Sequence, residues 1–517
     1  MGRKATGLSL GGLDMVAGLP GNIGYCHSKN CLNLRALQNP PSSFLRFILS
    51  PINQPKSFFI FLMNRRLWLV FVLMFVMGLY ACGGGGGSSS SSSSSLLKET
   101  ALWTWVSGSN TVNQVGTYGT KGVADSANIP GAREGAVSWT DAKGNLWLFG
   151  GCIVDLAGNQ DDLNDLWKYD GTNWIWVSGS NTVEQAGTYG TKGVAASANI
   201  PGAREEAVSW TDAKGNFWLF GGYGVDSAGN QGDLNDLWKF DGTNWTWVSG
   251  SNTGAQIGAY GTQGIGNQAN IPGARERAVS WTDAKGNLWL FGGYGYDSVG
   301  HQGDSSDLWK YDGTNWTWVS GSNTIEQAGT YGTKGVAASA NIPGAREGAV
   351  SWTDAKGNLW LFGGYGLDSS GNQGDLNDLW KYDGTNWTWV SGGNTIDQAG
   401  TYGSKGEPDP ANIPGARNIA VSWTDTHGNL WLFGGYGYDS AGNQDDLNDL
   451  WKYDGTNWTW VSGSNTIDQA GTYGSKGEPD STNVPGAREG AVSWTDAKGN
   501  LWLFGGYNLN DLWQYTL

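Results

Sequence analysis

A unit of 71 residues, copied six times, constrains the fold of this 517-residue chain more than any other feature. The arginine of a Pro-Gly-Ala-Arg sequence and the Gly-Gly pair that follows Leu-Phe both return at this interval. The arginines are Arg133, Arg204, Arg275, Arg346, Arg417 and Arg488. Repeats of this kind form one supersecondary unit per copy, and neighbouring units bury each other's apolar faces.

The fifth copy shows how each unit is built. Four short runs rich in aromatic and β-branched residues lie at 420–423, 429–433, 449–453 and 457–461, and we call them strands a, b, c and d. Short Gly-containing turns join a to b and c to d, whereas longer loops join b to c and d to the next a. Because no segment has a sustained 3.6-residue apolar period, the sequence predicts an all-β protein. Four-stranded antiparallel units arranged around an axis form a β-propeller.

The two ends of the repeated region predict how the ring closes. The region begins with an isolated strand d at 102–106 and ends at Leu517, after a strand c that has no strand d of its own. The two incomplete ends add up to one complete blade. We therefore predict a six-bladed β-propeller of four-stranded antiparallel blades, closed where the N-terminal strand joins the C-terminal blade.

The pattern within each unit resembles the Kelch-repeat family, which includes the central propeller domain of galactose oxidase. That family has an Arg before strand a, Gly-Gly after b, an aromatic residue in c and a Trp in d. In the fifth copy these residues are Arg417, Gly434, Gly435, Tyr453, Trp458 and Trp460. The resemblance covers residues 102–517 and implies a propeller domain there. The period exceeds the roughly 50 residues usual for the family, so the additional length is expected in the loops.

The antiparallel order of the strands predicts a binding surface. The a–b and c–d turns lie at one end of each blade, and the b–c and d–a loops lie at the other end, which we call the long-loop face. Loops of this length usually have a function. We expect the six arginines to form a ring around the central channel on this face, and the Kelch resemblance implies that such arginines bind acidic peptides. The alternative is that they pair with loop carboxylates such as Glu134 or Asp446, or donate to loop carbonyls.

The b–c loop is rich in potential oxygen ligands. Those of the fifth copy are Asp439, Asn443, Asp445, Asp446, Asn448 and Asp449. Calcium takes six to eight oxygen ligands, but the spacing does not match an EF-hand loop, and Asp and Asn are ordinary turn residues. The sequence therefore predicts no metal site here. The last copy lacks nine residues of this loop.

The charge and the N-terminal segment predict where the protein acts. The formal net charge is −15, which disfavours nucleic acid and anionic lipid as partners. The basic residues Arg65 and Arg66, the apolar run at 67–79 and Cys82 resemble the signal and lipobox of bacterial lipoproteins. The alternatives are a plain signal peptide or a membrane-anchoring helix.

This resemblance divides the N-terminal part of the chain. It implies a signal peptide at 63–81, lipidation of Cys82 and a Gly/Ser-rich tether at 82–101. Residues 1–62 are interpreted as an uncertain upstream segment that a misplaced start site would explain. We therefore expect an exported protein of the bacterial cell envelope, an outer-membrane lipoprotein that contacts the membrane through its lipid anchor only.

The residue supply argues against a copper oxidase. The chain has three histidines, His27, His301 and His427, and the last two are expected on opposite faces of the propeller. The galactose oxidase family needs two His, two Tyr and a Cys at one copper site. A Kelch-type sugar mutarotase or epimerase remains an alternative, although near-identical copies do not supply the different groups that a catalytic centre needs. Its unusual candidates are Glu205, Glu206 and Glu276.

We therefore predict a module without enzymatic activity or cofactor that binds a protein or glycan ligand on the long-loop face. Rings of identical loops suit the multivalent binding of repetitive targets. The third possibility is an architectural surface protein without a specific ligand. The sequence leaves the oligomeric state open.

Overall fold

The computed structural model describes residues 101–154 and 160–517. The upstream segment, the signal peptide, Cys82 and the tether up to residue 100 lie outside the described residues, so those interpretations stay predictions. Within the described ranges the secondary structure consists of strands and turns, and no helix there is long and apolar enough to cross a membrane.

The fold is all-β, with four-stranded antiparallel sheets in the order a-b-c-d that repeat along the described chain, as predicted for a propeller. We number the sheets as blades 1 to 6 in the order of their strand a. Strand a is Val137–Thr140, Val208–Thr211, Val279–Thr282, Val350–Thr353, Val421–Thr424 and Val492–Thr495. Strand b is Leu146–Phe149, Phe217–Phe220, Leu288–Phe291, Leu359–Phe362, Leu430–Phe433 and Leu501–Phe504. Strand c is Leu166–Tyr169, Leu237–Phe240, Leu308–Tyr311, Leu379–Tyr382, Leu450–Tyr453 and Leu512–Thr516.

Strand d of the last blade comes from the N-terminal end of the repeated region. Strand d is Trp174–Ser178, Trp245–Ser249, Trp316–Ser320, Trp387–Ser391, Trp458–Ser462 and, in blade 6, Leu102–Ser107. Leu102–Ser107 pairs antiparallel with Leu512–Thr516, and Trp103 lies opposite Tyr515. The outer side of Leu102–Ser107 pairs with the short strand Pro479–Asp480. The predicted joining of the two chain ends is confirmed.

A circle of serine hydroxyls joins the blades at their innermost strands. The Ser209 hydroxyl donates to the carbonyl of Ser138 in the preceding blade at 3.4 Å. The same bond recurs from each strand a to the one before it, at 2.9 to 3.1 Å. Ser138 donates in turn to Ser493 at 3.0 Å, which completes the circle. The innermost strands therefore surround a central axis.

The hydrophobic core lies between neighbouring blades. One cluster combines Val208 and Trp210 of blade 2 with Leu288 and Trp309 of blade 3, all buried. The Trp210 indole N–H donates at 2.8 Å to the carbonyl of Trp289 in the next blade, so this buried ring also has its polar atom satisfied. The buried strand tryptophans are thus packing residues.

The b–c segment of blades 1 to 5 is a β-hairpin, whereas the sequence analysis expected a loop. Its first strands are Cys152–Val154, Tyr223–Val225, Tyr294–Tyr296, Tyr365–Leu367 and Tyr436–Tyr438. Its second strands are Gln160–Asp162, Gln231–Asp233, Gln302–Asp304, Gln373–Asp375 and Gln444–Asp446. A two-residue strand pairs with the hairpin in blades 2 to 5 and comprises Arg204–Glu205, Arg275–Glu276, Arg346–Glu347 and Arg417–Asn418. These small sheets position the side chains of the long-loop face.

Candidate functional site

The six arginines that were predicted to contact a ligand lie inside the blades. Arg204 is 1% exposed, and its two terminal nitrogens donate to the carboxylate oxygens of Asp236 at 2.7 and 2.8 Å. It also donates to the carbonyls of Gly202 and Gly221 at 3.1 and 2.9 Å. The other five arginines are also 1% exposed, and each forms an ion pair with one aspartate. Their partners are Asp165, Asp307, Asp378, Asp449 and Asp511.

Each of these aspartates collects further hydrogen bonds. Asp236 accepts from the Tyr189 hydroxyl at 2.6 Å and from the Trp238 indole at 2.7 Å. Burial and the neighbouring Asp236 raise the pKa of the Tyr189 phenol, which therefore remains a hydrogen-bond donor. The group of Arg204, Asp236, Tyr189 and Trp238 ties the d–a loop to strands a and c.

The predicted arginine ring is corrected accordingly. Arg133, Arg204, Arg275, Arg346, Arg417 and Arg488 are directed into the protein rather than toward a ligand. The alternative of carboxylate and carbonyl partners describes them better, but the carboxylate is neither Glu134 nor Asp446. It is the aspartate of an Asn-Asp-Leu-Trp or Ser-Asp-Leu-Trp sequence just before strand c. Its recurrence in all six copies was the available signal.

The mouth of the channel is formed by the residue two positions after each arginine. We call these residues the mouth ring: Gly135, Glu206, Arg277, Gly348, Ile419 and Gly490. The amide of Glu206 donates to the carbonyl of Gly135 at 2.7 Å. The same bond recurs around the axis until the amide of Gly135 donates to the carbonyl of Gly490 at 3.0 Å. The six residues therefore form a closed circle of backbone hydrogen bonds.

The mouth ring has a backbone conformation that favours glycine. All six members have a positive φ, including 54° at Glu206, 53° at Arg277 and 49° at Ile419. A left-handed conformation costs a non-glycine residue roughly 1–2 kcal/mol, and a β-branched residue such as Ile419 is rarely found in it. Backbone strain of this kind is typical of functional sites, which makes the mouth ring a candidate site. The three side chains also line a cavity of about 200 Å³.

A ring of carboxylates surrounds the mouth ring. The residue after each arginine is acidic in five copies, and the last residue of each b–c hairpin is an aspartate. We call these residues the acidic ring: Glu134, Glu205, Glu276, Glu347, Glu489, Asp162, Asp233, Asp304, Asp375 and Asp446. In the fifth copy the position after the arginine is Asn418, which donates to Asp375 at 2.6 Å. The sequence analysis identified only Glu205 and Glu276 as unusual.

Burial and neighbouring negative charges raise the pKa of several carboxyl groups in the acidic ring. Burial, followed by Glu205 and Glu489, raises the pKa of Glu134 to about 7. Burial also raises the pKa of Asp233 to about 7, even though Gln302 donates to its carboxylate at 2.9 Å. A proton, a cation or a positively charged side chain would each relieve this repulsion.

Arg277 of the mouth ring is directed toward acidic residues. Its guanidinium forms an ion pair with Glu206 and lies 3.7 Å from Glu347. Partly exposed tyrosines follow the Gly-Gly pair on the same face. They are Tyr223, Tyr294, Tyr365 and Tyr436, together with Tyr507, which is 52% exposed. The mouth therefore combines an aromatic rim with an excess of negative charge.

Blade 1 differs at this tyrosine position, where Cys152 stands. The thiol, Asp162 and Glu205 are buried, and their donor atoms lie within 4.8 Å of one another. One sulfur and two carboxylates are a possible ligand set for a transition metal. Cys152 and Asp162 lie opposite each other in the hairpin of blade 1, and Glu205 comes from the next blade, so the cluster forms only in the folded ring.

The two described histidines lie at opposite ends of the blades. His301 follows the b–c hairpin turn, with its Nδ1 3.3 Å from Asp297. His427 lies in the a–b turn of blade 5, where its backbone amide donates to Asp425 at 2.9 Å. The two rings therefore do not share a metal site of the galactose oxidase type.

Comparison with known proteins gives distant structural similarities. No protein family and no curated protein matches the chain. A structure described as that of YjhT shares 14% sequence identity, covers 74% of this chain and 95% of the other, and has a TM-score of 0.41. A copper-bound fungal alcohol oxidase of the AA5 family shares 14% identity over 78% and 76% of the two chains, with a TM-score of 0.39. A Bacteroides thetaiotaomicron protein of unknown function shares 10% identity over 81% and 76%, with a TM-score of 0.42. All three TM-scores are below 0.5, so these similarities assign no function to this chain.

Proposed function

We propose that this protein is a binding module whose long-loop face recognises a positively charged segment of a partner protein. The observation that carries the proposal is the acidic ring, whose carboxylates surround the mouth ring. We further propose that the module is exported and held in the bacterial cell envelope through lipidated Cys82. The Gly/Ser-rich tether would then let the propeller reach partners away from the membrane.

The negative charge of the acidic ring favours a positively charged ligand. The carboxyl pKa is about 7 at Glu134 and at Asp233, because burial and like charges destabilise the ionised forms. A lysine or arginine side chain placed among these groups would lower those pKa values and gain charge-assisted hydrogen bonds. An acidic peptide would add to the repulsion. The charge therefore disfavours the acidic ligands that the Kelch resemblance implied.

The shape of the mouth supports side-chain recognition. The cavity of about 200 Å³ is bordered by Glu206 and Arg277 of the mouth ring. The half-exposed Tyr507 presents an aromatic surface on the same side, on which a guanidinium or ammonium group could stack. Charged recognition of this kind increases association rates and depends on ionic strength.

The test is calorimetric titration of the full-length protein with three ligands of equal length, namely a Lys/Arg-rich, an Asp/Glu-rich and an uncharged peptide. We expect only the Lys/Arg-rich peptide to bind, with lower affinity at higher salt. Replacing Glu276→Gln should weaken this binding about fivefold, since one charge-assisted contact contributes about 1 kcal/mol. The matched control is Asp241→Asn on the opposite face, in a c–d turn that asparagine also tolerates.

The other outcomes are informative. Binding of the acidic peptide, or equal losses in both variants, would contradict the proposal. Binding of a neutral glycan panel without salt dependence would favour a glycan ligand. Turnover of free sugars would favour the mutarotase, for which the near-neutral pKa of Glu134 is the supporting observation, since proton transfer is most efficient near the working pH. Absence of binding to every probe would leave the architectural role.

A further inference from the structure

Blade 1 carries a cysteine at a position where blades 2 to 5 carry a tyrosine. Cys152 is the first residue of its b–c hairpin, and the equivalent residues are Tyr223, Tyr294, Tyr365 and Tyr436. The cysteine is 2% exposed and lies opposite Asp162 in the antiparallel pairing of the two hairpin strands. Residues paired in this way have Cβ atoms about 4.5–5.5 Å apart on the same side of the sheet. The hairpin therefore brings a thiol and a carboxylate together.

A third group comes from blade 2, and two backbone hydrogen bonds hold it in place. The amide of Gly151, which precedes the cysteine, donates to the carbonyl of Arg204 at 2.9 Å. The amide of Arg204 donates at 3.0 Å to the carbonyl of Leu163, which follows the hairpin aspartate. Glu205 is the next residue, so it is placed beside both strands of the hairpin. The sulfur and one oxygen from each carboxylate lie within 4.8 Å of one another.

The side-chain hydrogen bonds around this hairpin differ from those of the following blades. In blades 2 to 4 the hairpin aspartate accepts a hydrogen bond from a glutamine of the next blade, at 2.8 to 3.0 Å. The corresponding glutamine for blade 1 is Gln231, and its side-chain amide donates to Glu184 Oε2 at 2.6 Å instead. The sulfur donor and the redirected glutamine therefore occur at the same hairpin.

The three side chains lie in surroundings that favour a cation. Burial is the largest cause that raises the pKa of the Asp162 carboxyl, followed by the charges of Glu205 and Glu184. Arg204 acts in the opposite direction, but its guanidinium is already paired with Asp236. A divalent ion between the two carboxylates would stabilise their ionised forms.

We propose that Cys152, Asp162 and Glu205 bind a zinc ion. The sulfur distinguishes this cluster from the oxygen-only loops considered for calcium, because a thiolate favours zinc over calcium or magnesium. Zinc lies about 2.3 Å from a thiolate sulfur and about 2.0–2.2 Å from a carboxylate oxygen. Donor atoms that are already within 4.8 Å of one another need to move only slightly to share one ion. When the sulfur–zinc bond forms, the thiol gives its proton to the solvent.

The proposed site adjoins the mouth of the propeller. Three protein ligands leave the fourth tetrahedral position of zinc for water or for a donor group of a ligand. Gly135 of the mouth ring borders the mouth cavity, and a Cβ atom at this position would lie 3.3 Å from Glu205 Oε2. We therefore expect the ion to enter from the mouth. The proposal does not depend on the protein ligand proposed above.

The test is titration of the full-length protein with cobalt(II) and then zinc, after treatment with chelator. Cobalt(II) occupies zinc sites and gives a sulfur-to-cobalt absorption band in the near ultraviolet when a thiolate binds it. We expect the parent to show this band and to lose it when zinc is added. Cys152→Ser removes the sulfur, and Cys152→Tyr introduces the residue of blades 2 to 5, so both variants should fold and lack the band.

The other thiols of the chain provide the matched control for the spectrum. The triple variant C26S/C31S/C82S retains Cys152 as its one thiol. We expect it to keep the band and to bind one zinc ion per chain by calorimetry. A band that survives Cys152→Ser, or that disappears in the triple variant, would overturn the proposal because another thiol would then hold the metal.

The carboxylates are tested with variants that keep the shape of the side chain. Loss of even an indirect partner of a bound metal typically lowers its affinity about 10- to 100-fold. We therefore expect Asp162→Asn and Glu205→Gln each to weaken zinc binding by about tenfold or more. The matched control is Asp233→Asn in blade 2, where Tyr223 replaces the cysteine, and its zinc binding should equal that of the parent. Absence of zinc binding by the parent, or an equal loss in D233N, would overturn the proposal.

Discussion

Two sets of buried carboxylates lie three residues apart in the blades, and they differ in one respect. Asp236, of the strand framework, is fully buried and has Arg204 as its counterion. Asp233, of the acidic ring, is 3% exposed and has only an amide donor from the next blade. The framework set is the same in all six copies, whereas the mouth varies between them. The comparison teaches that aspartates with an arginine counterion hold the blades together, whereas hairpin aspartates such as Asp233 lie beside a mouth that varies between the copies.

The largest expected effect comes from breaking a framework pair. Replacing Arg204→Met leaves Asp236 buried without its cation, which should lower the free energy of unfolding by about 3–5 kcal/mol. Denaturant titration measures the change. The matched variant is Asp233→Asn in the acidic ring, for which we expect less than about 1 kcal/mol because no counterion is lost. Equal losses in the two variants would remove the distinction between the two sets.

Stability measured as a function of pH should also distinguish the acidic ring from the aspartates that have an arginine counterion. The folded pKa values of Glu134 and Asp446, about 7 and about 8, lie above those of the unfolded chain, near 4. The folded state therefore holds more protons between pH 4 and pH 8, and its stability should decrease as pH rises through this window. We expect this loss to appear as a lower melting temperature at pH 8 than at pH 5.

The variant D446N should reduce this pH dependence, since its side chain no longer titrates. A melting temperature that rises steadily from pH 5 to pH 8 would contradict the raised pKa values of the acidic ring.

The smallest expected effect concerns the mouth-ring backbone. Ile419→Gly removes a β-branched residue from a left-handed conformation, and this relief of about 1–2 kcal/mol offsets the greater entropy of glycine in the unfolded chain. The neighbouring Ala420 has no positive φ, so Ala420→Gly should cost about 0.5–1 kcal/mol. We therefore expect I419G to be the more stable variant in denaturant titration, although it loses the larger side chain. The reverse order would show that Ile419 is not strained.

The sequence was sufficient to predict the arrangement of the strands. The 71-residue period, the four aromatic runs and the incomplete ends gave the strand order and the pairing of Leu102–Ser107 with Leu512–Thr516. These features depend on local patterns and on counting, which a single sequence contains. The b–c hairpins were missed because strands of three residues with central glycines, such as Tyr223–Val225, are too short to show an alternating pattern.

The candidate site was largely hidden from the sequence because its contacts join residues that are far apart in the chain or belong to different blades. Arg204 and Asp236 are 32 residues apart, and only the folded blade makes the arginine a packing residue. Asp162 and Glu205 come from neighbouring blades, so their proximity follows from the ring. One signal was available, since the mouth-ring position is glycine in three copies and Glu206, Arg277 or Ile419 in the others.

The closed circle of amides at the mouth has a consequence for any ligand on the axis. Each mouth-ring N–H and C=O is already engaged with a neighbouring blade, so the inner backbone offers little to an incoming molecule. Ligand selectivity at the mouth therefore depends on the side chains of Glu206, Arg277 and Ile419, in blades 2, 3 and 5. These three side chains are not related by any rotation about the axis. A ligand bound there would contact different side chains after each rotation about the axis. Although the scaffold repeats six times, a ligand on the axis is therefore expected to have one preferred orientation about it.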